Sequence, residues 1–321
     1  MNRIEIPIKF IVAAAATFFL FLSGLAIPLA GILIIPLVPQ PSLAFGVKYG
    51  RGPGFAILFT VSLLLLLFGG REVTVGFLLL ALMVVLFFYF FGRGWSIDQV
   101  VVGTATGMFV ALSTLLLAIF GSLSQLREVT GNALRENLDA SLRIYEQTGF
   151  SPETIELARE RSPQIIDLIL QIMPALAFMS FVTIILINLV LLSYRFPQHR
   201  TSFYSLGDPK EWRSPEPVIW CFIFSGFCLF LPSNWGLYTL ALNVLLIIAP
   251  FYFFQGLAIV AYFFHHKKVP LFLRGIGYVL IAFEQLVTLA IVGLGLFDLW
   301  GDFRKLKNSN LNQDQVSERD S

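Results

Sequence analysis

Long apolar stretches separated by short polar segments dominate the chain. A helix needs about 20 consecutive apolar residues to cross a bilayer, and eight stretches approach or exceed that length. They cover residues 10–38, 54–69, 73–91, 99–121, 169–194, 217–232, 236–263 and 271–299. The pattern therefore predicts an all-α fold, a polytopic membrane helix bundle of about eight transmembrane helices. Prolines inside the apolar runs mark the places where these helices should be irregular, namely Pro28, Pro36, Pro174 and Pro250.

The segment 122–168 differs from the rest, because it carries five Arg and eight Asp or Glu. Its apolar residues recur at helical spacing, which predicts an amphipathic helix. They are Leu126, Val129, Ala133, Leu134, Leu138, Leu142 and Tyr145. Gly149 suits a helix end, and Ser151-Pro152 and Ser162-Pro163 each suit a helix start. We expect one amphipathic helix, a short second helix and then the fifth span. The segment is either a flap that packs on the bundle or lies at the membrane interface, or it is a gate or a partner-docking element.

This pattern divides the chain into four parts. Two membrane halves of four spans each, 1–121 and 169–307, flank the amphipathic loop 122–168. The polar tail 308–321 should be disordered, because it has almost no apolar residues to bury.

Composition excludes several classes of protein. Hydrophobic residues make up 57% of the chain and charged residues 13%, whereas soluble domains carry roughly a quarter charged residues. A water-soluble enzyme and a disordered chain are therefore excluded. The net charge of +2 provides no basic surface for nucleic acid. The lipid bilayer is the one partner that the composition itself requires.

Polar residues inside the apolar runs are the candidates for ligand binding. Glu284 lies near the centre of the run 271–299 and is followed by Gln285. It is either a group that faces a ligand or ion, or a neutral carboxyl that holds helices together. Asn188 and Asn243 are the next candidates, and interhelical hydrogen bonding is the alternative role for both.

The connection between the first two runs combines glycines, prolines and two cations. Glycines allow backbone to approach a ligand, and Lys48 and Arg51 could bind an anionic group. Ordinary interfacial cations are the alternative. We find no G-x-x-x-x-G-K-[ST] or H-E-x-x-H motif and no catalytic constellation. The sequence therefore predicts neither an enzyme nor a bound cofactor or metal.

Three short motifs carry a resemblance. They are the Pro-rich end of the first run, Lys48-Tyr49-Gly50-Arg51-Gly52-Pro53-Gly54, and the ending from Gly295 to Lys305. Together they resemble the YybS-like family of uncharacterised bacterial membrane proteins. The first half is more distantly similar to the substrate-binding membrane subunits of energy-coupling-factor transporters. That similarity implies a small solute bound in a helical bundle and separate coupling and ATPase proteins, although those subunits have six spans.

The resemblance implies a multi-pass protein of the bacterial inner membrane. An even number of spans and the cations after the last span place both termini in the cytoplasm. Four charged residues at this edge could dock a cytoplasmic partner, namely Asp298, Asp302, Arg304 and Lys305.

Our first hypothesis is binding or transport of a small solute, powered by a partner or an ion gradient. The alternative is a membrane scaffold or assembly factor that acts through residues 122–168 and the basic C-terminal edge.

Overall fold

The computed structural model describes residues 5–197, 217–232, 236–301 and 303, and its secondary structure within these ranges is helical. No strand occurs in the part of the chain that the structure describes. The helices are α1 (Glu5–Ala26), α2 (Pro28–Ile34), a 3₁₀ helix (Ile35–Leu37), α3 (Gln40–Tyr49), α4 (Arg51–Phe68), α5 (Gly70–Phe91), α6 (Ile97–Phe120), α7 (Leu123–Gln147), α8 (Pro152–Arg195), α9 (Pro217–Cys228), α10 (Gly236–His266), α11 (Leu271–Phe283) and α12 (Gln285–Gly301).

Apolar length confirms the membrane fold. Among the described residues, seven helical segments are long and apolar enough to cross a bilayer, and α11 and α12 meet the same criterion only as a pair. The sixth predicted span, 217–232, is only 12 residues long as α9 and is too short on its own. The protein is therefore a polytopic helical membrane protein, and its described residues contain seven candidate spans, or eight if α11 and α12 form one.

The chain divides into two compact units. The first contains residues 1–170 and 176–205, and the second contains residues 171–175 and 206–321. Helix α8 therefore contributes residues to both units. The division into 1–121, 122–168 and 169–307 stays a prediction, and the tail 308–321 lies outside the described residues.

The first predicted span, 10–38, is wrong, because the chain turns back within it. Helix α1 ends at Ala26, Ile27 is extended with φ −124° and ψ 91°, and α2 begins at Pro28. A residue before proline is biased towards extended backbone, which favours a turn here. A Cβ added to Gly31 would overlap the carbonyl oxygen of Gly24. Glycine at these positions therefore allows α2 to fold back onto α1 in direct backbone contact.

The predicted loop after the first span is largely helical. Helix α3 runs to Tyr49 and α4 begins at Arg51, so only Gly50 separates them. Gly50 has φ +101°, a conformation that L side chains rarely adopt. A single glycine therefore reverses the chain. The segment from Leu29 to Tyr49 is one of the seven candidate spans.

Aromatic contacts hold the first unit together. Phe10 meets Phe45 edge to face at 6.0 Å between ring centroids, and Phe21 meets Phe77 at 5.2 Å. Such geometry is favoured for aromatic pairs. The first contact places the start of α1 beside the end of α3.

Helix α7 confirms the predicted amphipathic helix. It pairs with the first part of α8 through Arg127–Asp167 and through Arg159–Glu146 at 2.7 Å. Within the predicted stripe Leu142 is buried, whereas Val129 and Tyr145 are about half exposed. Gly149 adopts φ +87° and Ser151 caps α8 by accepting from Thr154 N–H, as the sequence predicts.

The predicted separate short helix before the fifth span is wrong, because α8 runs unbroken for 44 residues. Pro163 has no N–H to donate to the carbonyl of Arg159. The hydroxyl of Ser162 donates to that carbonyl instead, at 2.8 Å. The preceding side chain thus replaces the lost hydrogen bond and the helix continues.

The second unit is built on close contact between α10 and α12. A Cβ on Gly295 would overlap the carbonyl oxygen of Tyr252, and a Cβ on Gly256 would overlap that of Ile291. Small residues are what allow membrane helices to pack this closely. Helix α9 adds Phe222, which meets Tyr252 edge to face at 5.3 Å.

The last predicted span, 271–299, is also wrong as a single helix. Helices α11 and α12 meet at Glu284 with a bend of 99°. Glu284 is extended, with φ −95° and ψ 112°. In a continuous helix Gln285 N–H would bond the carbonyl of Ile281, which here accepts from the Thr288 hydroxyl at 2.6 Å. Thr288 thereby stabilises the break.

We expect Gly295→Ala to lower the stability of the second unit by about 1–3 kcal/mol, the usual cost of overpacking. The added methyl group must push α10 and α12 apart. Gly293→Ala is the matched control, because nothing lies within 4 Å of an added Cβ there. The stability of both variants is measured by thermal unfolding of the full-length protein in detergent. Equal unfolding midpoints for the two variants would contradict the packing argument.

Candidate functional site

The side chain of Asn188 joins α8 to the proline-rich span of the first unit. Its Nδ2 donates to the carbonyl of Pro36 and to that of Ile184, both at 2.8 Å. Asn188 is only 1% exposed. The amide therefore reaches from one helix to irregular backbone in another, inside an apolar core.

The backbone at this contact is irregular because Pro36, Pro39 and Pro41 fall within six residues. Each proline lacks the N–H that a regular helix would use. Residues 35–37 tighten into a 3₁₀ helix, in which Val38 N–H donates to the Ile35 carbonyl at 3.1 Å. A 3₁₀ stretch within a longer helix often marks a functional hinge or strain.

Three polar atoms in or beside this segment are buried without a hydrogen-bond partner among the described residues. They are Gln40 Oε1, Ser42 Oγ and Asn188 Oδ1. Buried polar atoms are normally paired, so each unpaired one needs an explanation. We define Pro36, Gln40, Ser42 and Asn188 as the proline-break site. Thr104 Oγ1 on α6 is also buried and unpaired.

The side-chain amide of Asn243, the other predicted candidate, forms hydrogen bonds to helix backbone through both its oxygen and its nitrogen. The N–H of Ala175 donates to Asn243 Oδ1 at 2.7 Å. Asn243 Nδ2 donates to the carbonyls of Gln171 at 2.7 Å and Thr239 at 2.8 Å. Ala175 N–H and Gln171 C=O are hydrogen-bond partners in a regular helix, and they lie on either side of Pro174. The amide thus supports α8 at its proline.

Glu284 and Gln285 lie at the break between α11 and α12, and both are exposed. The contact of Gly295 with Tyr252 fixes the antiparallel register of α12 against α10. With a rise of about 1.5 Å per residue, Glu284 lies level with the last turn of α10 and roughly 30 Å from Asn243. The two residues therefore do not form one site.

Lys48 and Arg51 are exposed on either side of the Gly50 turn. Lys48 lies in the last turn of α3, with its Nζ 5.4 Å from the centre of the Tyr49 ring. Arg51 is the first residue of α4, and its guanidinium lies against the backbone of Gly92. The turns before α4 and before α6 are therefore neighbours.

Asp298 lies in the interior of the second unit and is fully buried. Its Oδ2 accepts from Gln255 Nε2 at 3.2 Å, and its Oδ1 accepts from Phe303 N–H at 3.0 Å. This position favours a role inside the bundle over contact with a cytoplasmic protein. Its predicted docking companions Asp302, Arg304 and Lys305 lie outside the described residues, so docking stays a prediction.

Sequence reasoning treated Gln40 and Ser42 only as part of the loop after the first apolar run. The available signal was their position directly after two prolines of an apolar run. No group of three or more potential metal ligands is present in residues 5–197, 217–232, 236–301 and 303.

Comparison with known proteins gives one match. The model of the family described as "Predicted membrane protein (DUF2232)" matches residues 15–299. No curated protein and no solved structure shows significant similarity to the chain. Because the match covers most of the chain, including the proline-break site, the chain belongs to the DUF2232 family of predicted membrane proteins.

Proposed function

We propose that this protein binds a small polar solute at the proline-break site and moves it across the membrane. The observation that carries the proposal is the buried Asn188 amide. Its nitrogen bonds irregular backbone at Pro36, while its oxygen has no hydrogen-bond donor among the described residues. Irregular backbone at membrane depth is tolerated where it is buried in protein or lines a cavity, and transporters use such segments for binding.

The unpaired atoms suggest the chemistry of the solute. Gln40 Oε1 and Asn188 Oδ1 are carbonyl oxygens and can only accept, whereas the Ser42 hydroxyl can accept or donate. A solute that donates hydrogen bonds through hydroxyl or ammonium groups would complement them. The site contributes no charged side chain, so a neutral or cationic solute fits better than an anion.

Energy for transport would come from elsewhere, because the sequence has no phosphate-binding loop. The resemblance to the YybS-like family and to energy-coupling-factor subunits belongs to this proposal. It suggests a separate coupling protein with ATPases, and an ion gradient is the other source. We propose no enzymatic activity.

The charges of the first unit suggest its orientation. Lys48, Arg51 and Arg93 flank the turns before α4 and α6, whereas the opposite turn before α5 carries Arg71 and Glu72. Cytoplasmic loops carry the excess of Lys and Arg. Since α1 begins beside the end of α3, we propose a cytoplasmic N-terminus in the bacterial inner membrane. Eight spans would place the C-terminus there too.

Ser42→Ala should weaken solute binding about three- to tenfold, the worth of one neutral hydrogen bond. The change should not destabilise the fold, because the hydroxyl has no hydrogen-bond partner among the described residues to lose. Thermal shift of the full-length protein in nanodiscs with a panel of amino acids, polyamines, nucleosides and vitamins measures binding.

Thr17→Val is the matched control, since Thr17 is buried and its hydroxyl bonds the Ala13 carbonyl in its own helix. Equal binding by Ser42→Ala and the wild type would contradict the proposal. So would loss of binding in Glu284→Gln alone, because that residue belongs to the second unit.

Impermeant maleimide labelling in spheroplasts tests the orientation. In a background of Cys221→Ser and Cys228→Ser, we expect Glu72→Cys to be labelled and Gly52→Cys to be protected until the membrane is permeabilised. Both positions are exposed, and an added Cβ at Gly52 meets nothing within 4 Å. The reverse labelling pattern would place the N-terminus outside.

A scaffold is the second candidate function, because the α7–α8 pair exposes apolar side chains. Ile144 is 61% exposed, and Phe150 and Leu157 are each 53% exposed. These residues suit a protein partner or the membrane interface.

Affinity purification of the tagged chain from native membranes separates the two functions. If the protein is a transporter, a coupling protein with ATPases, or a bound solute, should co-purify with it. This co-purification should be unchanged in the variants Ile144→Asp and Leu157→Asp. If the protein is a scaffold, envelope proteins should co-purify with it, and each of the two substitutions should abolish this. Val129→Asp is the control, because Val129 is also exposed on α7 but lies in its first half.

A further inference from the structure

An apolar groove of about 550 Å³ lies on the first unit between α4 and α5. Phe55, Phe59 and Leu66 line it from α4, and Leu78 and Val85 line it from α5. Ser62 and Thr74 are its polar residues. The hydroxyl of Thr74 already donates to the Gly70 carbonyl at 2.8 Å. From Phe55 to Leu66 the groove extends roughly 16 Å along α4, so its shape and lining suit a hydrocarbon chain.

Cations lie at one end of this groove. Arg51 precedes Phe55 by one helical turn and is on the same face of α4. Tyr89 and Gly92 follow Val85 by one and two turns on the same face of α5. The Arg51 guanidinium lies against Gly92, and the Arg93 guanidinium lies 4.4 Å from the centre of the Tyr89 ring. The two guanidinium groups therefore flank the place where the groove ends.

The cations at this end of the groove have no ion-pair partner among the described residues. Lys48, Arg51 and Arg93 are exposed, and none of them forms an ion pair within the described residues. The acid closest in sequence, Asp98 in the first turn of α6, is also exposed and makes no ion pair there. Guanidinium groups bind phosphate through paired N–H donors. An anion at this end would complement all three cations.

Gly92 has a specific part in this arrangement. A Cβ at residue 92 would overlap the Arg51 guanidinium. Glycine is therefore what allows the guanidinium to lie flat against the turn, beside Arg93, rather than extend into solvent.

We propose that this surface binds one anionic phospholipid. Arg51 and Arg93, with Lys48 beside them, bind the headgroup phosphate, and one acyl chain lies in the groove between α4 and α5. The continuity of the groove with the cations favours a lipid over free phosphate, which would leave the groove unused. This site is separate from the proline-break site and does not depend on solute binding.

Delipidated full-length protein in detergent provides the test. We measure its thermal midpoint against increasing phosphatidylglycerol, phosphatidylcholine or inorganic phosphate, and count retained lipids by native mass spectrometry. We expect one retained phosphatidylglycerol and stabilisation by that lipid alone. Arg51→Gln with Arg93→Gln should lower the apparent affinity roughly tenfold or more. Arg71→Gln, an exposed cation at the other end of α5, should leave it unchanged.

The groove is tested separately from the charges. Leu78→Trp should fill the groove and lower retention while all three cations remain. Leu67→Trp is the control, because Leu67 is exposed on α4 and does not line the groove. Both leucines are exposed, at 48% and 67%, so these variants should fold.

Several outcomes would overturn the proposal. Equal stabilisation by phosphatidylcholine would show that the headgroup charge is not recognised. Equal stabilisation by inorganic phosphate would show that the groove holds no chain. Equal loss in Arg71→Gln and the double variant would show a general effect of surface charge.

Discussion

Every backbone N–H and carbonyl group in an apolar bundle must find a partner inside the protein, because lipid supplies none. The most informative parts of this structure are the places where the regular backbone hydrogen bonds of a helix cannot pair every group. Pro163, Pro174 and the break at Glu284 each remove a backbone hydrogen bond. The hydroxyls of Ser162 and Thr288 bond the carbonyls left without a backbone donor at Pro163 and at the break. Beside Pro174, the Asn243 amide bonds the backbone of Gln171 and Ala175. These polar side chains are consequences of irregular backbone, and their positions follow from it.

The two buried asparagines meet this requirement to different extents. Asn243 bonds through both ends of its amide and has nothing left for a ligand. Asn188 uses only its nitrogen, and its oxygen is buried without a donor among the described residues. The sequence gives both the same status, because each is one amide in an apolar run. Only the geometry of the neighbouring helix distinguishes a fully bonded amide from one whose oxygen has no donor among the described residues.

Apolar length predicts α4, α5, α6 and α10 to within a few residues, because the edges of these helices coincide with changes in polarity. It fails at Ile27 and Glu284, which lie inside apolar runs, and at Gly50, which lies in a polar connection that the pattern treats as a longer loop. Pro28 and the glycines signal the first two turns. The third has no proline or glycine at the bend, and it depends on a hydroxyl four residues later that satisfies Ile281. A contact of that kind cannot be predicted from hydropathy.

Whether a polar atom is paired inside the protein also changes which residues are the better candidates for a binding site. An ionisable residue in an apolar run is costly at the centre of a bilayer, and this argument favours Glu284 from the sequence. The register of α12 on α10 instead places Glu284 level with the last turn of α10. The Gln40 carbonyl oxygen and the Ser42 hydroxyl carry no charge, yet both atoms are buried where three prolines interrupt the backbone hydrogen bonding. In a bundle of this kind, a proline-rich stretch with uncharged polar neighbours is the stronger indication of a binding site, because its polar atoms stay inside the protein.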